Sequence, residues 1–150
     1  MRVYLVVMDE TDEAKKAVRF ASRRAAKTGG SLHILALVPQ QNFNAFGSVQ
    51  ATIEQEAKER AEVLATSAAG NIFEEGGKMP QIAVRVGGGQ NVIREYLKEH
   101  EETAALVLGA AAEGNPGPLV THFTSISGSL PCPVYIVPGN LSNEEIDTLA

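Results

Sequence analysis

The sequence predicts an α/β domain in which a five-stranded parallel sheet carries helices on both faces. Five short apolar segments alternate with helical segments along the chain, and this alternation is typical of parallel sheets. The chain has 150 residues, a length that fits one domain and buries a core without a metal or a disulfide. Apolar residues make up 44% of it and charged residues 21%, so its composition is that of an ordinary globular domain.

The first third of the chain predicts a strand, a helix and a second strand. Val3 to Met8 is apolar throughout, as expected of a strand that is buried on both faces. Thr11 can cap the following helix, whose first turn is acidic and whose last turns are basic. Gly29 and Gly30 end that helix, and Leu32 to Val38 is predicted as the second strand.

A long second helix follows, and the remaining elements are shorter. Its apolar side chains recur at helical spacing: Ile53, Ala57, Ala61, Leu64, Ala68 and Ile72. Ile82 to Val86 alternates between apolar and polar residues and is predicted to lie at a sheet edge. Asn91 is the expected cap of the third helix, and Ala104 to Leu108 and Val134 to Val137 are the fourth and fifth strands. The polar, acidic segment from Gly139 to Ala150 is expected to be a loose extension.

The candidate ligand site follows from this order of elements. The first and fourth strands are the least polar, so we expect them at the centre of the sheet, and if they are neighbours, the chain reverses direction between them. Ligands of such sheets bind where the chain reverses direction, at the carboxyl ends of the strands. Those ends carry Asp9 and Gly109.

Charge and composition exclude several classes of partner. The formal net charge is −5, which disfavours a nucleic-acid partner because such partners require clustered positive charge. No apolar run approaches the about 20 residues of a membrane-spanning helix, so we expect no membrane partner and a cytoplasmic protein. Cys132 is the only cysteine, and its apolar surroundings predict a buried, unreactive thiol.

The glycine-rich segment after the fourth strand matches no complete phosphate-binding motif from spacing alone. Gly109 and Gly114 have the spacing of a P-loop. Asn115 and Pro116 stand where that motif requires lysine followed by serine or threonine. The segment is therefore either a modified phosphate site or a loop that turns the chain.

No catalytic residue and no metal ligand are assigned from the sequence. His33, His100 and His122 lie far apart along the chain, and none has a histidine partner at helical spacing. The Gly-x-Ser-x-Gly motif of hydrolases does not occur. No nucleophile and base can be paired from their spacing.

Several segments in order resemble one known family. They are residues 3–9 (VYLVVMD), 35–39 (LALVP), 86–96 (VGGGQNVIREY), 106–109 (LVLG) and 130–137 (LPCPVYIV). With this order and spacing, residues 1–139 resemble the universal stress protein family. The resemblance implies a single-domain, Rossmann-like three-layer sandwich of the adenine-nucleotide-alpha-hydrolase type, with strand order 3-2-1-4-5. It leaves residues 140–150 as a tail, and it implies a homodimer, often paired through the last strand, here Val134 to Val137.

The resemblance also implies candidate nucleotide-binding residues, since some members of the family bind ATP or another adenine nucleotide. Asp9 and Val38 match the two strand-end positions that contact the nucleoside. Gly109 matches the first glycine of the phosphate motif, and Gly114 is the closest substitute for the second. Thr124 and Ser125 match the end of that motif by spacing. Ala110 and Gly117, in the same segment, complete the candidate set.

The phosphate motif departs from the family pattern at several positions. Ala112 and Thr124 stand where glycine is expected, and each adds a Cβ where backbone N–H groups would approach a phosphate. Pro116 and Pro118 remove two backbone donors. No lysine or arginine occurs in residues 109–137 to neutralise a triphosphate. Three outcomes stay open: binding of ATP with Mg²⁺, binding of a smaller ligand such as AMP, or no nucleotide binding.

Three functions correspond to these outcomes. The first is a dimeric stress-response protein that senses an adenine nucleotide. The second is an interaction protein of the same fold without a nucleotide. The third is a slow nucleotide hydrolase in which Asp9 holds a metal ion. Phe43 and Phe46 either close over an adenine ring as a lid or pack into the core beneath their loop.

Overall fold

Strands and helices alternate along the chain in the computed structural model. The structure describes residues 2–40 and 47–150, and in the second range it describes side chains from residue 51 onward. The strands are β1 (Val3–Met8), β2 (Ser31–Val38), β3 (Gln81–Val86), β4 (Thr103–Ala110) and β5 (Val134–Pro138). The helices are α1 (Asp12–Thr28), α2 (Gly47–Glu74), α3 (Gly89–Glu99), α4 (Pro118–Ser125) and α5 (Asn143–Leu149). A 3-10 turn at Ser127–Ser129 follows α4.

All strand pairs of the sheet are parallel, and the strand order is β3-β2-β1-β4-β5. This confirms the predicted order, the central position of β1 beside β4, and the edge position of β3. In the register of the two central strands, Leu5 lies beside Leu106 and Val6 beside Val107. The chain leaves β1 towards β2 on one side and returns to β4 on the other, which opens a crevice at their carboxyl ends.

Alternate side chains of β1 belong to two separate cores. Tyr4, Val6 and Met8 pack on the face covered by α1, α2 and α5. Leu5 and Val7 pack on the face covered by α3 and α4. Every residue of β1 is buried, which explains why the strand is apolar on both faces.

Helix α1 begins and ends where the sequence predicts. The Thr11 hydroxyl accepts a hydrogen bond from the N–H of Ala14, and Gly29 closes the helix in the left-handed conformation, with a φ of 68°. The expected cap of α3 was wrong, because Gly88 caps this helix and Asn91 lies inside it. The first residue of the helix, Gly89, packs closely, since an added Cβ would lie 2.8 Å from a side-chain atom of Leu119.

Helix α2 is the longest helix and lies on the sheet by one face. Ala65 and Ala69 are buried, and Ala61, Leu64, Ala68 and Ile72 pack against the same core. Its opposite face carries exposed polar residues and Val63. Across residues 2–40 and 47–150, no helix combines the length and apolar character needed to cross a lipid bilayer.

The C-terminal segment folds back onto α1, so its expected loose extension was wrong. Ser142 and Glu145 form a reciprocal capping box at the start of α5, and Ile146 is fully buried. Asp147 accepts two hydrogen bonds from the Arg19 guanidinium, at 2.8 and 2.7 Å. The hydrogen bond from Arg19 is the main reason that the pKa of Asp147 lies below its usual value. The basic face of α1 therefore holds the acidic terminal helix.

Candidate functional site

Asp9 lies at the centre of the crevice, directly after β1. Its Oδ1 accepts hydrogen bonds from the backbone N–H of Thr11, at 2.9 Å, and from the Thr11 hydroxyl. These bonds fix the carboxylate at the start of α1. Asp9 lines three adjoining cavities, so the strand-end position predicted from the sequence is where they meet.

The cavity beside β2 brings together the two predicted nucleoside residues, Asp9 and Val38. It has a volume of about 260 Å³. Its apolar walls are Met8, Ala36, Leu37, Ala57, Ala61 and Leu64. The Val38 side chain is 1% exposed, and its carbonyl accepts a hydrogen bond from the Gly87 N–H at 3.1 Å. Phe43 and Phe46, the proposed lid residues, lie outside the described residues.

A smaller cavity lies between the ends of β1 and β4. It has a volume of about 130 Å³, and Asp9, Gly109 and Gly117 line it together. Glu13 also lines this cavity. Two acidic residues therefore line the position where the family pattern places phosphate, and their negative charge opposes an anion there.

Two backbone donors of the phosphate segment are bonded within the segment itself. The Ala111 N–H donates to the carbonyl of Pro116 at 3.1 Å. The Gly117 N–H donates to Oδ1 of Asn115 at 2.9 Å. Pro116 and Pro118 have no N–H. Two donors of the loop are thus bonded internally and two positions have none, so the loop offers fewer donors to a phosphate than a glycine cradle does.

Three further candidate residues shape the backbone of this region: Gly109, Ala110 and Gly114. Gly109 lets the first turn of α1 approach β4, because an added Cβ would overlap the backbone of Glu13. The Ala110 carbonyl accepts a hydrogen bond from the Gly139 N–H at 2.8 Å, which joins the ends of β4 and β5. Gly114 has a φ of 72°, so it permits a turn that other residues rarely adopt.

Thr124 and Ser125 are not brought to either cavity. Helix α4 begins at Pro118, so Thr124 lies six residues along it, about 9 Å from its start at 1.5 Å per residue. The Thr124 hydroxyl donates to the carbonyl of Val120 at 2.7 Å, and that of Ser125 to the carbonyl of His122 at 2.6 Å. Both hydroxyls are thus bonded to their own helix.

Two basic residues at the site were missed by sequence reasoning. Lys15 of α1 and Arg60 of α2 line a wider cavity of about 730 Å³, together with Asp9 and Glu10. Arg60 Nε lies 3.4 Å from Glu10 Oε1. Arg60 could have been predicted to lie near the site, because it is next to the apolar stripe of α2 in the sequence and that stripe faces the sheet.

Comparison with known proteins identifies the relatives of this chain. The sequence profile of the Universal stress protein family matches residues 1–138. The solved structure of universal stress protein UspA from Lactobacillus plantarum has a TM-score of 0.73 and 19% identity, covering 91% of this chain and 97% of its own. A universal stress protein from Arabidopsis thaliana with AMP bound has a TM-score of 0.60 and 15% identity, covering 92% of both chains.

A third solved structure adds a ligand of the same class. The universal stress protein from Archaeoglobus fulgidus in complex with dAMP has a TM-score of 0.53 and 15% identity, covering 91% of this chain and 97% of its own. Among curated proteins, none matches the sequence significantly. At these identities the structural likeness shows the fold, and the profile match over residues 1–138 shows the family. The chain belongs to the universal stress protein family, as its sequence motifs predict.

Proposed function

We propose that this protein is a stress-response protein that binds an adenine mononucleotide such as AMP at the carboxyl ends of β1 and β2. The observation that carries the proposal is that Asp9 and Val38, from two different strands, line one cavity. The relatives from Arabidopsis thaliana and Archaeoglobus fulgidus, which hold AMP and dAMP, support this class of ligand. The single cysteine is free and buried, in keeping with a cytoplasmic protein.

The nucleoside half of the site has suitable chemistry. An adenine ring is flat and apolar on its faces, and the cavity walls from β2 and α2 are apolar. The Asp9 carboxylate accepts hydrogen bonds, so it suits the hydroxyl groups of a ribose. The cavity, about 260 Å³, lies just below the about 300–1,000 Å³ of drug-sized sites. It therefore suits a nucleoside better than a whole nucleoside triphosphate.

The phosphate half favours one phosphate over three. Its loop uses the N–H groups of Ala111 and Gly117 internally, and Asp9 and Glu13 line the adjoining cavity. Each further phosphate adds negative charge, which these carboxylates repel. Lys15 and Arg60 border the wider cavity, but Asp9, Glu10, Glu56 and Glu59 line it as well, so it supplies no net positive charge for further phosphates. We therefore propose AMP as the preferred ligand and assign no role to Mg²⁺.

Removing the Asp9 carboxylate tests this proposal. Protein refolded from denaturant, and thus stripped of ligand from the cell, is titrated calorimetrically with AMP and with ATP, with and without Mg²⁺. We expect micromolar binding of AMP and weaker binding of ATP. Asp9→Ala should weaken AMP binding about tenfold or more, since a hydrogen bond to a charged group contributes about 1.5–3 kcal/mol.

The matched control is Asp12→Ala, which removes the same charge from an exposed position of α1 three residues away. It should leave the affinity for AMP unchanged. Equal affinities in both variants would contradict the role of Asp9. Tighter binding of ATP than of AMP would contradict the preference for one phosphate. Melting curves of both variants show whether the loss of the Asp9–Thr11 bonds unfolds the protein instead.

A second candidate function is protein interaction without a nucleotide. The loop between β4 and α4 favours it, because two of its N–H groups are bonded internally and two prolines have none, which weakens its attraction for a phosphate. This candidate predicts no heat and no thermal shift with any of the nucleotides at millimolar concentration. The same titration therefore separates the two functions.

We also propose that the protein forms a homodimer through β5. This strand lies at one edge of the sheet, where its unpaired backbone groups can pair with a second copy. Ile136 is 39% exposed on it, and Pro133 and Pro138 at its ends confine the pairing to a few residues.

A charge at Ile136 tests the proposed dimer. Ile136→Lys should shift the molecular mass measured by light scattering from dimer to monomer, because a charge at the pairing strand opposes burial. Val63→Lys is the control, since Val63 is 65% exposed on α2, away from the sheet edge. A monomeric wild-type protein, or dimers of equal strength in both variants, would contradict the proposal.

A further inference from the structure

Two histidines and a glutamate meet at the end of the sheet opposite the nucleotide crevice. His33 is the third residue of β2, His100 follows α3, and Glu102 immediately precedes β4. One ligand atom from each of the three lies within 4.8 Å of the others. Sequence reasoning treated the histidines as isolated. The fold instead brings the rings of His33 and His100 to a centroid distance of 5.4 Å.

We propose that His33, His100 and Glu102 form a binding site for Zn²⁺ or a similar first-row transition-metal ion. Two imidazoles and one carboxylate are a donor set that such ions prefer, whereas Mg²⁺ and Ca²⁺ prefer oxygen donors alone. Three protein ligands of this kind leave a fourth position of a tetrahedral ion open to water or another ligand.

A hydrogen bond to Tyr96 fixes the ring of His33. Its Nδ1 lies 2.7 Å from the hydroxyl oxygen of Tyr96, a buried side chain of α3. The tautomer that is protonated at Nδ1 donates this hydrogen bond and leaves the Nε2 lone pair available. Metal-binding histidines generally donate their second nitrogen to an oxygen in this way, which fixes the ring.

Burial also holds the His33 ring in place. The residue is only 6% exposed, so packing as well as the hydrogen bond to Tyr96 restricts the movement of its ring.

The spacing lets the three groups converge on one ion with small movements. The three ligand atoms lie at most 4.8 Å apart, so an ion placed between them would be within about 2.8 Å of each atom. Zinc bonds to nitrogen and oxygen are about 2.0–2.2 Å long, so each ligand atom would have to move by less than about 1 Å. His100 is half-buried and Glu102 is exposed, so both can move inward. His100 Nδ1 already lies 3.0 Å from Glu102 Oε1. The His100 ring stacks on the Tyr96 ring, with a distance of 4.1 Å between the ring centroids.

An open groove reaches one member of the cluster, His100. It lies between α3 and the segment after α4 and has a volume of about 850 Å³. Thr103 lines it beside His100, and its charged residues are two basic and two acidic ones: Arg94, Lys98, Glu95 and Glu101. An ion can therefore reach His100 from solvent.

A Zn²⁺ titration of tag-free protein, stripped of metal with a chelator, tests the site. We expect one ion per chain by calorimetry and a higher melting temperature with Zn²⁺, because binding to the folded state stabilises it. His100→Ala and Glu102→Gln should each weaken the affinity about tenfold or more, by analogy with the 10–100-fold losses caused by changes around metal ligands. Neither residue is part of the buried core, so both variants should fold.

His122→Ala is the matched control, because it removes an imidazole from α4, outside the cluster. It should bind Zn²⁺ as the wild-type protein does. Co²⁺ in place of Zn²⁺ should give an absorption spectrum of a nitrogen- and oxygen-bound ion that is lost in the two cluster variants. Absence of saturable one-to-one binding, or an equal affinity in His100→Ala, Glu102→Gln and His122→Ala, would overturn the proposal.

Discussion

Gly109→Ala is expected to lower the free energy of unfolding by about 3 kcal/mol, the upper part of the about 1–3 kcal/mol typical of an overpacked core. The added Cβ would overlap the carbonyl oxygen of Glu13 and lie 2.5 Å from its carbonyl carbon. These are backbone atoms, so a change of side-chain rotamer cannot relieve the clash. The first turn of α1 would have to move away from β4. Urea unfolding followed by circular dichroism measures the loss.

Gly128→Ala is the control for this change. Nothing lies within 4 Å of a Cβ built at Gly128, which is exposed in the 3-10 turn, so the substitution should have little effect. If Gly109→Ala were as stable as Gly128→Ala, the close packing of α1 on β4 would be refuted.

This packing changes the interpretation of the glycine motif. A glycine near the end of the fourth strand is expected where a phosphate approaches the backbone closely. It is equally expected where a helix approaches the backbone closely. The contact with Glu13 accounts for Gly109 without any ligand. A loss of nucleotide binding in a Gly109 variant would also follow from displacement of α1 and of Asp9 beside it. Asp9→Ala with its Asp12→Ala control is therefore the more informative experiment.

The sheet could be predicted in detail because its signals are local. Val3–Met8 is apolar at every position, which indicated a central strand, and it lies at the centre. Gln81–Val86 alternates and lies at an edge. The full strand order came from resemblance to the family, since periodicity alone does not specify which strands are neighbours.

Contacts between distant parts of the chain gave no local signal. Arg19 and Asp147 are 128 residues apart, and each occurs in a segment whose charges fit an exposed surface equally well. The C-terminal segment was therefore expected to be loose, although Ile146 is fully buried. The proximity of His33 and His100 was missed for the same reason. His33 belongs to β2 and His100 follows α3, and these two elements come together only when the chain folds.

The sequence predicted that Asp9 and Val38, the proposed nucleoside half of the site, come together, and it did not predict the arrangement of the proposed phosphate half. Asp9 and Val38 end neighbouring parallel strands, and such ends converge at one edge of a sheet. The phosphate half depends on where α4 begins. Its start at Pro118 leaves Thr124 far along the helix, and no spacing rule fixed that start. Hydrogen bonds inside the loop, such as that from Ala111 to Pro116, depend on the folded turn as well.

Phe123→Ala is expected to lower the free energy of unfolding by about 3–5 kcal/mol, the range for removal of a buried phenylalanine. Phe123 is fully buried in the core beneath α3 and α4. Helix α4 has eight residues, and Val120 and Phe123 are its buried ones, so this side chain supplies much of its attachment. Hydrogen exchange of the α4 amides should accelerate more than that of β1, where both faces keep their packing.

Phe73→Ala is the matched control, because it makes the same substitution at a position of α2 that is 56% exposed. It should change the free energy of unfolding by no more than about 0.5 kcal/mol, as surface substitutions do. Equal effects of the two substitutions would show that Phe123 is not packed as described. A larger effect at Phe123 with unchanged binding of AMP would place α4 outside the ligand site. Reduced AMP binding in a variant that is still folded would show instead that the wall formed by the start of α4, around Gly117 and Pro118, contributes to that site.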